Sequence, residues 1–178
     1  MWGTAGCICS QSENSKAIMY KSRIDLPAAV RDQVIPILQA RLADSVDLFT
    51  QVKQAHWNVK GPNFIALHEL FDDIAEIVED HSDLIAERIT ALGGRADGTS
   101  RIAAKRSTLV EYPLEIAAGM EHSAALADRL ASFGKAVREA IDRTAEYGDA
   151  DTTDLFTEVS RAIDKQLWFV EAHLQADR

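Results

Sequence analysis

At 178 residues the chain is long enough to bury one sizeable core, and no linker divides it. Nine Gly and four Pro among abundant Ala, Leu and charged residues favour a helical protein over a β-sandwich or barrel. A formal net charge of -9 argues against general nucleic-acid affinity, which is driven by Lys and Arg displacing counterions, and suits cations instead.

Residues 1–22 are polar and aperiodic and are expected to form a flexible tail ahead of a single domain over residues 23–178. A second Met, Met19, leaves open whether the stretch before it is a natural arm or an over-long start. The only cysteines, Cys7 and Cys9, lie in this tail, so no disulfide framework is expected, as in a reducing cytosol. The Cys7-x-Cys9 pair is compatible with a soft metal, with oxidative pairing to another chain, or with idle thiols. "TAGC" at 4–7 resembles a lipoprotein cleavage site, but no basic start or apolar run precedes it, so no signal peptide is expected. No apolar run approaches the roughly 20 residues that span a bilayer, and a cytoplasmic protein is expected.

Val30, Val34, Ile37, Leu38, Leu42, Val46, Phe49 and Val52 recur at steps of three and four, predicting a first long helix that ends near Gly61-Pro62. Asn63 is the expected N-cap of a second helix. Its core stripe is Leu67, Leu70, Phe71, Ile74, Ile77, Val78, Leu84, Ile85 and Leu92, stopped by Gly93-Gly94. Residues 95–118 lose that rhythm and contain Pro113, as suits a long crossover with a short helix inside it. A third long helix carries Met120, Leu126, Leu130, Phe133, Val137 and Ile141 and ends at Gly148. Asp151 with Asp154 resembles a capping arrangement opening a fourth, through Leu155, Val159, Ile163, Leu167, Trp168 and Val170. Four long helices, one long central connection and no strand signals describe an all-α, ferritin-like four-helix bundle.

The second helix also bears a polar stripe of His68, Asp72, Glu76, Glu79, Asp83 and Glu87, mostly three or four residues apart and therefore on one face. A solvated acidic flank would read the same way. None of the Glu residues is followed by His at the third position, so the intra-subunit di-iron motif of such bundles is absent. Asp72 and Asp83 point within roughly 20° of the same direction but stand about 16 Å apart along the helix, too far to share an ion. If two copies of this helix packed antiparallel across a two-fold axis near Ile77 and Val78, His68 and Asp72 of one would face Asp83 and Glu87 of the other. Such an isologous contact makes two sites. His56, at the end of the first helix, would complete each.

The segments "KQAHWNVKGPNFIALHELFDD", "DHSDLIAERITALGG" and "DKQLWFVEAHLQ", with their His-x11-His-x3-Asp-x10-Asp-x3-Glu spacing, resemble the Dps family of mini-ferritins over about residues 24–176. The resemblance implies a homo-oligomeric, twelve-subunit hollow shell with ferroxidase centres at its dimer interfaces, storing oxidised iron inside. It implies that His56, His68 and Asp72 of one subunit and Asp83 and Glu87 of its mate bind Fe, with room for two irons per centre. It also implies hydrogen peroxide as the preferred oxidant. Imidazole and carboxylate with open positions suit Fe(II), whereas closed thiolate sites suit structural zinc.

Other residues carry two readings each. Trp57 is either an interface anchor or, by resemblance, an aromatic near the iron that donates an electron. Trp168 is expected in the core. His81 is either an outer-shell neighbour of the site or a hydrated side chain, and His122 and His173 are expected to be structural. Asp149, Asp151 and Asp154 are either carboxylates favoured at a helix start or, by resemblance, lining of three-fold pores that guide Fe(II) inward. The first 25 residues hold only Lys16, Lys21 and Arg23 against Glu13 and Asp25, where DNA-compacting relatives use a basic tail. Binding of DNA by this chain would be weak and salt-sensitive, arising from many copies acting together. The alternatives to a peroxide-consuming ferroxidase are a nucleoid-packing protein with secondary iron chemistry and an inert helical scaffold.

Overall fold

The computed structural model describes residues 20–175. Cys7, Cys9 and all of the expected tail except its last three residues lie outside them. Tyr20 and Ser22, read from sequence as part of that tail, are tied to the end of the second helix: Tyr20 N donates to Gly93 O and Ser22 Oγ to Ala91 O. Gly93 has φ +90, and a Cβ there would press into Tyr20 O, so glycine is needed for both the turn and the close approach.

Five helices follow: α1 Ala28–Asn58, α2 Phe64–Ala91, α3 Ser100–Arg106, α4 Gly119–Glu146 and α5 Ala150–Leu174. Four are long, and α3 is the short helix inside the crossover. No strand occurs among the described residues, and the sole β-bridge joins Lys60 to Ala118. No described helix is long and apolar enough to cross a membrane. α1 pairs chiefly with α2, and α4 with α5. Gly61, at φ +117, lets the chain reverse between α1 and α2.

The core forms where the four apolar stripes meet, with Leu38, Leu42, Leu48, Val52, Phe71, Ile74, Ile85, Leu126, Phe133, Phe156 and Ile163 all essentially buried. Burying each of the phenylalanines contributes about 2 kcal/mol. The crossover is pinned rather than loose. Asp44, fully buried on α1, accepts from Thr108 N and Oγ1 and pairs with Arg41, while Ser107 Oγ donates to Asp47.

Three expectations fail. Trp168 is 61% exposed rather than core, because it lies five residues beyond Ile163, roughly 140° around α5 from the buried stripe, while Phe156 takes the core position. Leu84 and Met120 are exposed for the same reason, sitting at the margin of their stripes. The N-cap of α5 is Asp149, whose side chain accepts from Thr152 N, and not Asp151. Asn63 does occupy the N-cap of α2, but its side chain makes no capping bond.

Candidate metal centre

The last turn of α1 leaves backbone carbonyls without helical partners, and α2 begins one tight turn later. His56, near the end of α1, and His68, one turn into α2, bond to each other's carbonyls across this turn, and of the two only His56 O is a helix-end group. His56 Nδ1 lies 2.8 Å from His68 O and His68 Nδ1 2.9 Å from His56 O. A carbonyl can only accept, so each Nδ1 carries a proton and each Nε2 presents a bare lone pair. The rings stack at 3.8 Å between centroids and 21° between planes, and Phe64 covers the outer face of His68 at 5.1 Å. Two imidazoles are thus locked in a tautomer that could ligate a metal ion.

Asp72, one turn beyond His68, brings Oδ1 to 3.8 Å from His56 Nδ1. The same oxygen accepts a 2.5 Å hydrogen bond from Lys53 Nζ. That bond, reinforced by the charge of Lys53 and opposed by partial burial, holds the Asp72 carboxyl below its ordinary range. Lys53 was not among the residues singled out from sequence. Its signal was its position three residues before His56, on the same face of α1.

Asp83 and Glu87 are brought to neither histidine. Both are exposed on the distal half of α2, where Asp83 borders a groove walled by Leu42, Val46 and Phe49 of α1 and by Ser82 and Ala86 of α2. Among the described residues, no group of three or more His, Cys, Asp or Glu is disposed to hold a metal ion. Trp57 is 67% exposed beside His56.

The remaining candidates separate. His81 is 6% exposed with Nδ1 unpartnered, so the hydrated alternative is wrong: α2 turns it inward, and burial lowers its pKa against the opposing charges of Glu158 and Asp80. His122 is buried and is not without a partner, since Tyr112 Oη lies 2.7 Å from its Nδ1. Asp149 is buried, and its oxygens are taken by Arg88, 2.7 Å away, and by Thr152. Asp151, exposed and only 3.7 Å from Arg88, and Asp154, also exposed, keep carboxylate surface facing solvent.

Helix order, the pinned crossover and the histidine pair between α1 and α2 define a ferritin-like protein. The profile of the ferritin-like domain matches residues 35–178. A DNA protection during starvation protein of Agrobacterium fabrum is 44% identical over 156 residues, covering 88% of this chain and 96% of that one. Among solved structures, DpsC from Streptomyces coelicolor superposes with a TM-score of 0.85 at 31% identity, over 90% of this chain and 94% of its own. The tetragonal form of Mycobacterium smegmatis Dps gives 0.84 at 32%, over 89% and 95%. Within the ferritin-like class, the chain belongs to the Dps family.

Proposed function

We propose that this protein oxidises Fe(II) at centres completed between two subunits, with hydrogen peroxide as the preferred oxidant, and stores the ferric product inside a hollow dodecamer. Iron is the substrate. The observation that carries the reading is the reciprocal histidine pair: two lone pairs held ready beside an ionised Asp72, with no further acidic ligand from the same chain. Asp72 and Asp83, like His68 and Glu87, are symmetric about the midpoint between Ile77 and Val78. Antiparallel pairing of α2 with its copy sets each acid opposite the other subunit's half-site and makes two centres per dimer. The half-buried Val46 and Phe49 bordering Asp83 supply apolar surface for that contact. Neutral imidazole with carboxylate suits Fe(II) and leaves positions for peroxide.

The reading is tested by anaerobic Fe(II) titration followed by peroxide, read by Fe(III) absorbance, on particles whose mass is measured in the same sample. A saturable uptake and a rapid peroxide-driven step are expected. Their absence in fully assembled particles refutes it. The Agrobacterium fabrum relative, a DNA protection during starvation protein, favours a second reading, protection of DNA by direct contact. The net charge of -9 opposes it, and a gel shift that vanishes at moderate salt is the most that reading predicts.

A further inference from the structure

Tyr112 in the crossover and His122 near the start of α4 form a second aromatic pair, with a 2.7 Å hydrogen bond from the phenol to Nδ1 and rings 6.0 Å apart at 13°. His122 is 1% exposed. Burial holds the imidazole below its ordinary pKa and pushes the phenol above its own, so both rest neutral, and because the phenol has no other hydrogen-bond partner among the described residues it donates to Nδ1. Because Nδ1 accepts, Nε2 carries the other proton, and that nitrogen is buried without a partner. A proton handed to Nδ1 therefore has no onward path and stays available for return. Arg129 sits 5.7 Å over the Tyr112 ring, held by donating from Nη2 to Glu111 O. A cation against the ring face opposes withdrawal of an electron, which favours the stronger one-electron oxidants over weaker ones. Tyr112 also lines the groove walled on the α1 side by Gln51, Gln54 and Trp57, so it shares that groove with the residue that follows His56.

We propose that Tyr112 and His122 form a proton-coupled electron donor that consumes one-electron oxidants generated from peroxide at the neighbouring iron centre. The inference rests on the ferroxidase reading above. Peroxide requires two electrons and two protons to become two waters. Where a centre holds a single Fe(II), the iron supplies one electron and becomes Fe(III), and Tyr112 supplies the other. The phenolic O–H bond breaks, its proton moves to His122 Nδ1, and a neutral phenoxyl radical is left beside an imidazolium. The O–O bond of peroxide breaks, and two protons from solvent complete the waters. A half-buried tyrosine that merely staples the crossover to α4 predicts no radical at all.

The test is rapid freeze-quench electron paramagnetic resonance on the assembled protein loaded with one Fe(II) per centre and mixed with peroxide, with Fe(III) absorbance followed in the same mixing experiment. A tyrosyl signal is expected, narrowed when the unmutated protein carries ring-deuterated tyrosine. It should be absent from Tyr112→Phe, which retains Tyr20 and Tyr147. His122→Gln, which keeps the phenol but removes the strong proton acceptor, should lower the radical yield several-fold. Iron oxidation without a tyrosyl signal, or with one that survives in Tyr112→Phe, overturns the inference and leaves the ferroxidase reading standing. Absence of peroxide-driven iron oxidation removes both.

Discussion

The two halves of α2 carry ligand-type side chains at matching spacing, yet the fold treats them differently. In the proximal half, His68 is locked to His56 through backbone carbonyls and Asp72 is bonded to Lys53. In the distal half, Asp83 and Glu87 stand exposed and make no side-chain hydrogen bond. Nitrogen ligands need a set tautomer and ring orientation to bind, which only packing can impose. Carboxylates bind from several geometries and tolerate waiting in water. On the proposed reading, a chain that orders the first kind and leaves the second free supplies half of a site.

The largest effect should come from removing the ordered half. His56→Ala with His68→Ala is expected to lower the initial rate of peroxide-driven Fe(II) oxidation by more than about 100-fold, beyond the usual cost of losing a supporting group. Particle mass should not change. Asp83→Ala with Glu87→Ala should lose as much although the change begins about 22 Å from His68 along the helix. Refolding the two double mutants together sharpens the comparison. A mixed dimer would contain one centre with every ligand and one with Asp72 alone, so random mixing should restore about a quarter of the wild-type rate. No restoration at all would show that the two halves do not meet across subunits.

Next in size is the anchor of the distal half. Arg88, one residue beyond Glu87, bonds to Thr152 Oγ1 and to buried Asp149 at the start of α5. Asp149→Ala removes both a cap and a buried ion-pair partner and should cost about 3 kcal/mol in chemical denaturation. Lys53→Met acts on the ordered half more gently. Without the lysine hydrogen bond the Asp72 carboxyl returns toward its ordinary pKa, so on acidification it protonates sooner and Fe(II) should be released at higher pH than from wild type. Titrating bound iron against pH measures the shift.

The smallest effect concerns His81, at the middle of α2. Its folded pKa is depressed by burial, so between the folded and the ordinary value the unfolded chain binds more protons, and stability rises with pH. The contribution is present above about pH 6.5 and is lost as pH falls through the folded value. His81→Leu should flatten that part of the stability profile, while retention of the full acid slope would assign it to other groups such as His122.

Much of this was legible in the linear sequence. Period-3.6 recurrence of apolar residues located all four long helices, and a crossover containing Pro113 was recognisable by its broken rhythm. Spacing alone put His68, Asp72, Asp83 and Glu87 on one stripe and showed that one chain could not close a site around them. Those are one-dimensional properties, because helical geometry converts residue number directly into direction and height. The tautomers of His56 and His68, the Lys53–Asp72 bond, the inward turn of His81, the cap at Asp149 and the Tyr112–His122 pair were decided only in three dimensions. Each depends on which carbonyl, charge or neighbouring helix arrives from a distant part of the chain, and sequence spacing carries no record of that encounter.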